Sequence, residues 1–216
     1  ISNGDFGIGD QPDKAKTYWG NNHGSAAQIN GQWYIFYHKQ TNKTEQSRQG
    51  CAERIEIKPD GSIEQVETTC CGLNNGPLSQ MGTYPAYIAC NLRSATGACK
   101  CAYGPFKRWT YAKHPCITQE GGRQFIQNLR RGAEADFRYF DIKNLKAISA
   151  TVRDGEGALE VFVDGHEHPF AKIPIKKEEG WTTFKTSCTL PDGIHSLAFR
   201  YNGENDCDFL DFTLID

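Results

Sequence analysis

His23 sits in Asn21-Asn22-His23-Gly24-Ser25, an imidazole held among small residues just ahead of a hairpin. Flanking glycine lets another backbone or a ligand come close, and a neutral imidazole can ligate a cation or share a hydrogen bond. The same pattern serves a structural histidine equally well, so both readings stand. Cys99-Lys100-Cys101 and His114-Pro115-Cys116 offer three sulfurs and an imidazole, the ligand set of a structural zinc, though at unusual spacings. Carboxylates for general acid–base work are scattered rather than paired. Asp5, Asp10, Glu53, Glu56, Asp60 and Glu64 fall in turns or at outward positions of strands, which reads as a solvated face. No catalytic pair is assigned.

The elements that must position these groups are strands. Residues 25–29 and 33–38 form a hairpin, because Asn30-Gly31 supplies the positive φ angles of a type I′ turn. Trp33, Ile35 and Tyr37 alternate with Tyr34, Phe36 and His38, so both faces of the second strand are apolar or aromatic and both need cover. Residues 51–58 alternate as a third strand, Pro59-Asp60-Gly61 turns it, and Ile63, Val66 and Glu67 mark a fourth. Four antiparallel strands within about fifty residues make one propeller blade. A lone blade leaves faces and edges open. Its neighbours must come from missing blades, from the rest of the chain or from a second subunit.

Residues 72–114 show little periodicity but are studded with aromatics and cysteines, which reads as an ordered connector across a domain junction. From residue 115 the pattern is that of a β-sandwich. Residues 133–140, 148–152, 159–163, 173–175, 181–190, 197–201 and 209–215 read as strands. Asp154-Gly155, Asp164-Gly165, Glu179-Gly180, Asp192-Gly193 and Asn202-Gly203 turn between them. The expected divisions are therefore 1–71, 72–114 and 115–216, and about a hundred residues can bury a core of their own.

Composition narrows the field. The 216 residues are 38% hydrophobic and 23% charged, as in an ordinary globular protein. A net charge of −2 gives no bulk attraction for nucleic acid or an anionic membrane, and neither is expected as a partner. There is no apolar run of membrane-spanning length and no signal-peptide pattern. The chain opens at Ile1 on residues that look like a strand end, and reads as a trimmed or processed piece of something longer. Its nine cysteines, at 51, 70, 71, 90, 99, 101, 116, 188 and 207, are odd in number, and Cys70 and Cys71 are adjacent. Mostly free thiols are expected, which suits an anaerobic or reducing setting. A bacterial protein that is secreted, periplasmic or cytoplasmic fits otherwise. Asn42-Lys43-Thr44 is a glycosylation sequon, meaningful only in a eukaryotic secretory pathway.

SNGDFG at 2–7, GNNHGS at 20–25, NGQWYIFYHKQ at 30–40 and CAERIEIKPDGSI at 51–63 together resemble the closing part of a glycoside hydrolase family 43 catalytic domain. That resemblance implies a five-bladed β-propeller. IQNLRRGAEADFRYFDI at 126–142, ISATVRDGEGALEVFVDG at 148–165, GWTTFKTSCTLPDGIHSLAFRYNG at 180–203 and DFLDFTL at 208–214 stand in the order of a family 6 carbohydrate-binding module. By the first resemblance, His23 matches an imidazole at the propeller centre that holds a cation or water beneath the active site. Arg48 matches an arginine that reaches the sugar at the cleaved position, where its fork can bind two hydroxyls, with Arg54 as a rival and a surface ion pair as the plain alternative. The acid, the base and a third, tuning carboxylate belong to earlier blades in that family, so this chain alone lacks them.

By the second resemblance, Trp181 stands where a tryptophan stacks on a sugar ring, and Asp208 where a hydrogen-bonding Asn is usual. Phe125 is the candidate for a second stacking ring. Lys176-Lys177-Glu178-Glu179 replaces small polar residues ahead of the tryptophan, and Trp181 also reads as core filler. Gln119 and Glu120 stand where such modules carry a structural calcium, which takes carboxylate and amide oxygens.

The sequence thus reads as all-β: the last blade of a partial five-bladed β-propeller followed by a jelly-roll β-sandwich. The expected function is that of a glycoside hydrolase fragment acting on plant-wall polysaccharide, of the arabinofuranosidase or xylosidase type and working by inversion. An oligo- or polysaccharide is the expected partner. Calcium is the expected cofactor, at the propeller centre or in the sandwich. The alternative is a non-catalytic carbohydrate-binding or structural β-sandwich protein.

Overall fold

A computed structural model of the chain describes residues 23–42, 47–79, 81–96 and 114–216. Asp5, Asp10, Cys99 and Cys101, the sequon residues Lys43 and Thr44, and the connector aromatics Tyr103, Phe106, Trp109 and Tyr111 lie outside these. The zinc reading falls there with them.

The expected hairpin is present. β1 (Gly24–Ile29) and β2 (Gln32–Gln40) pair from Gly24 opposite Tyr37 to Ile29 opposite Gln32. Asn30 and Gly31 turn between them at φ 49° and 81°, the left-handed values this dipeptide supplies without a steric penalty. β3 (Arg48–Arg54) pairs with β2, giving a three-stranded sheet. Tyr34, Tyr37, Ala52 and Ile55 are buried, whereas β1 is exposed from Gly24 to Gln28.

The fourth strand expected around 63–67 does not form, and β3 stops at Arg54 instead of reaching residue 58. Only an isolated bridge, Ile57 to Ile63, remains. The cause is partly local. Asp60 Oδ1 accepts from Ser62 N at 2.9 Å and Ser62 Oγ at 2.7 Å, closing a tight loop that Gly61 N seals onto Lys58 O at 2.9 Å. It is also tertiary. Beyond the loop the chain turns to the sandwich, where Cys70 N donates to Arg138 O at 2.7 Å. Glu67 pairs with Arg138 Nη1 at 2.5 Å and accepts from the Tyr139 hydroxyl. Those partners outbid a lone ladder at an open edge.

The sandwich has two sheets. One runs β11 (Ala171–Ile175), β10 (Gly157–Val163), β13 (Gly193–Gly203), β8 (Glu134–Ile142), β5 (Asn91–Arg93). The other runs β12 (Thr182–Ser187), β9 (Ala147–Arg153), β14 (Cys207–Ile215), β7 (Arg123–Leu129), β6 (Cys116–Glu120). β4 (Gly82–Pro85) also pairs with β14. Residues 82–93, read from sequence as connector, therefore supply strands to both sheets. They are recruited by side chains rather than by period: Tyr84 packs 4.9 Å from Phe140 and 5.7 Å from Phe212, and Leu92 is buried. Between the sheets lie Phe137, Phe199, Phe209 and Phe212, with Phe137 and Phe199 at 4.8 and 4.9 Å from Phe212. Each such ring contributes about 1.5–3 kcal/mol by burial alone. Tyr201 is buried beside them, and its hydroxyl accepts from Glu156 N at 2.9 Å, tying the start of β10 to β13.

The two parts are joined by specific bonds. The buried Lys39 ammonium donates to Cys90 O at 2.5 Å, and Ile117 N donates to Thr41 O at 2.8 Å. Cys51, Cys70, Cys71, Cys90, Cys116, Cys188 and Cys207 are free thiols. Burial pushes the Cys90 thiol up to about 12, so it stays protonated.

Candidate functional site

Strand order in the six-stranded sheet brings the sandwich candidates to one place. Trp181 immediately precedes β12, Arg153 ends β9, Asp208 is the second residue of β14 and the cross-strand partner of Arg153, Phe125 lies on β7 and Glu120 ends β6. Neighbouring strands thus deliver residues far apart in sequence to one end of one sheet. Phe125 is buried and Trp181 half-buried, with ring centroids 5.1 Å apart at 71°, an edge-to-face pair.

Arg153 fills the centre of this group. Its guanidinium lies 4.6 Å from the Trp181 ring centroid and 5.1 Å from that of Phe125. Nη2 donates to Asp208 Oδ2 at 2.8 Å and Nη1 to Glu120 Oε2 at 2.7 Å. Nε sits 3.5 Å from Asp154 Oδ2, within ion-pair range but without a hydrogen bond. Burial pushes the Asp208 carboxyl up, and the adjacent guanidinium opposes that shift. The guanidinium in turn is held above its ordinary range, chiefly by its hydrogen bond to Asp208 and then by Glu120. The arrangement is a closed ion-pair knot capped on aromatic rings.

Trp181, Asp208, Glu120 and Phe125 were each within reach of sequence reasoning; Arg153 was not. It stands just before Asp154-Gly155, where the pattern shows only the outward end of a strand. Gln119 precedes Glu120 on β6. Calcium needs several oxygen ligands. The Glu120 carboxylate is committed to Arg153, and among the described residues no three His, Cys, Asp or Glu side chains gather as a metal site. Gln119 and Glu120 do not by themselves make up a calcium cage.

The blade candidates share one end of their sheet. His23 precedes β1 and stacks on His38 of β2, centroids 5.6 Å apart and planes at 26°. Arg48 opens β3 opposite Gln40 and is exposed. Gln40 is 1% exposed, yet among the described residues neither its amide oxygen nor its amide nitrogen has a hydrogen-bond partner. Arg54, the rival arginine, lies at the other end of β3. One carboxylate departs from the solvated reading. Glu53 is 5% exposed and accepts from Tyr37 Oη at 2.9 Å, Thr69 N at 2.8 Å and Thr69 Oγ1 at 2.6 Å, because residues 66–70 cross over its face of β3. Burial raises its carboxyl above the ordinary range. With its oxygens occupied in this way, Glu53 is a structural acceptor.

No protein-family model matches the chain. Over 94% of its length the chain is 44% identical to a xylosidase/arabinosidase of Thermoclostridium stercorarium, of which it spans 44%. It is 25% identical over 88% of its length to an arabinoxylan arabinofuranohydrolase of Paenibacillus polymyxa, of which it spans 30%. The chain therefore spans less than half the length of these curated relatives. A glycoside hydrolase family 43 arabinoxylan arabinofuranohydrolase from Bacillus subtilis, solved with cellotetraose, superposes with a TM-score of 0.56 at 18% identity, covering 92% of this chain and 41% of that one. A family 6 carbohydrate-binding module from Clostridium cellulolyticum, solved with xylose, gives 0.50 at 13% identity, covering 64% of this chain and 99% of that one.

The two resemblances read from the sequence are thereby borne out together. The chain matches a portion of a family 43 glycoside hydrolase, joined to a sandwich with the fold of a family 6 module.

Proposed function

We propose that the whole protein cleaves glycosidic bonds in arabinoxylan-type plant-wall polysaccharide, releasing arabinofuranose or xylose, and that this chain supplies its sugar-facing blade end and its accessory sandwich. The observation that carries this is the 44% identity to a xylosidase/arabinosidase, which runs through blade and sandwich alike. An inverting reaction needs two carboxyl groups about 6.5–9.5 Å apart, one protonating the leaving oxygen and the other activating water. Glu120 and Asp208 are bridged by Arg153, and Glu53 is buried in its own bonds, so none of the three is free for either task. The acid and base belong to blades outside this chain, which also cover the open faces of β1 to β3. In this reading Arg48 meets a sugar hydroxyl pair and His23 holds a cation or water at the blade end.

The test compares the whole protein with the 216-residue chain on aryl α-arabinofuranosides and aryl β-xylosides. Hydrolysis by the whole protein and none by the chain is expected. A whole protein inert on both substrates overturns the proposal. A second reading, in which the sandwich chiefly buttresses the blade, is favoured by the Lys39–Cys90, Cys70–Arg138 and Glu67–Arg138 bonds. Weak retention of the chain on an arabinoxylan affinity gel would agree with it.

A further inference from the structure

We propose that Arg153 is an internal plug in the aromatic slot of the sandwich, and that a neutral sugar ring stacks on Trp181 only when this guanidinium is removed. The inference rests on reading Trp181 and Asp208 as a sugar-type platform, and it assigns to Arg153 a role that no other feature of the chain suggests. A sugar stacks by laying its apolar C–H face on an aromatic ring, while a neighbouring polar side chain takes its hydroxyls. Here both needs are already met from within the chain. The planar guanidinium lies over Trp181 at 4.6 Å and over Phe125 at 5.1 Å. The Asp208 oxygen that would receive a hydroxyl instead receives Arg153 Nη2 at 2.8 Å. Glu120 clamps the far side of the fork at 2.7 Å.

The geometry also explains why the plug stays in place. Arg153 is tethered at the strand end directly opposite Asp208, so its insertion needs no rearrangement of backbone. Its charge is balanced by Asp208 and Glu120, and its flat face meets aromatic quadrupoles that favour a cation over a neutral ring. A sugar has to displace all of these contacts at once and leave a buried carboxylate without its partner. The slot is therefore silent toward neutral sugars as folded.

The test uses the 216-residue chain and its variants. Arg153→Ala alone would strand Asp208, which is 7% exposed, so the working variant is Arg153→Ala with Asp208→Asn, which removes both charges together. Xylotetraose is titrated calorimetrically into each, with melting temperature as the check on folding. Arg153→Lys, which keeps a cation but not the flat fork, is the second variant. The expected result is affinity at least about tenfold higher in the double variant than in the parent chain, an equivalent of about 1.4 kcal/mol, and lost again on adding Trp181→Ala. Arg153→Lys should fall between the two.

Equal affinity of parent and double variant, both abolished by Trp181→Ala, overturns the plug. So does a folded double variant that binds no xylotetraose. If the double variant does not fold, unchanged affinity in Arg153→Lys overturns it. None of these outcomes touches hydrolysis by the whole protein, which is measured separately on aryl glycosides.

Discussion

Replacing Lys39 by methionine isolates what holds the blade to the sandwich. The ammonium is buried at 5% exposure and donates to Cys90 O at 2.5 Å and Ala89 O at 3.4 Å. Only the shorter contact counts as a full hydrogen bond. With a charged donor it contributes about 1.5–3 kcal/mol, and leaving the carbonyl orphaned costs about 1–3 kcal/mol more. Methionine keeps a flexible chain of similar length, so little packing is lost. It also removes the cost of burying an ammonium, which offsets part of the loss. The expected net destabilisation is about 2–3 kcal/mol. For a chain of this size that lowers the melting midpoint by about 4–12 °C. Calorimetry reads the midpoint, and hydrogen exchange reads its location. Protection should fall in β2 and β3 and hold in β8 and β13, whose core does not include Lys39. A midpoint that is unchanged or raised would show that desolvating the ammonium cancels its bonds, and the clamp argument would fail.

Glu53→Gln should flatten a pH dependence. Burial raises the folded-state pKa of Glu53, so its favourable contribution is complete below the ordinary carboxyl range and is lost as pH rises through the raised value. The variant cannot ionise, so its melting temperature should gain on the parent's as pH rises above about 4; a gap that stays flat or shrinks refutes the burial account. Gly157→Ala should cost about 2–5 kcal/mol in urea denaturation, because a Cβ there runs into the Asn202 carbonyl oxygen on a backbone at φ 139°. Gly165→Ala has open space around it but a backbone at φ 72°, and should cost about 1–2 kcal/mol. Phe212→Ala should cost about 3–5 kcal/mol by guanidinium denaturation, while the exposed Val66→Ala stays within about 0.5 kcal/mol of the parent.

What could be read from the sequence was local. Asn30-Gly31 encodes its own turn, and long alternating runs such as residues 133–140 announce half-buried strands without reference to anything distant. β4 and β5 span four and three residues, too short for alternation to show, and are made strands by Tyr84 and Leu92 docking on a core assembled from the far end of the chain. The missing fourth blade strand is the same lesson with opposite sign. Ile63 and Val66 supplied apolar residues for it, but Glu67 and Cys70 found better partners on β8. Site residues followed this division. Trp181 and Asp208 could be placed by the layout of their motifs, but Arg153 reaches Asp208 across 55 positions and Glu120 across 33, and its neighbours in sequence give no hint of either.

The alternation of β2 gives these long-range contacts a bearing on function. Lys39 and its neighbours His38 and Gln40 point to opposite sides of the strand, since successive side chains alternate. On one side Lys39 reaches the sandwich at Cys90; on the other His38 stacks on His23, and Gln40 lies across from Arg48. The sandwich therefore grips the strand directly behind the residues proposed to face the sugar. Under the proposed function, Lys39→Met in the whole protein should lower kcat on aryl arabinofuranosides by more than it changes KM, because misplacing a group around the reacting sugar weakens the transition state more than ground-state binding. Equal kcat in the two proteins, at a temperature where both are folded, would confine the grip to stability.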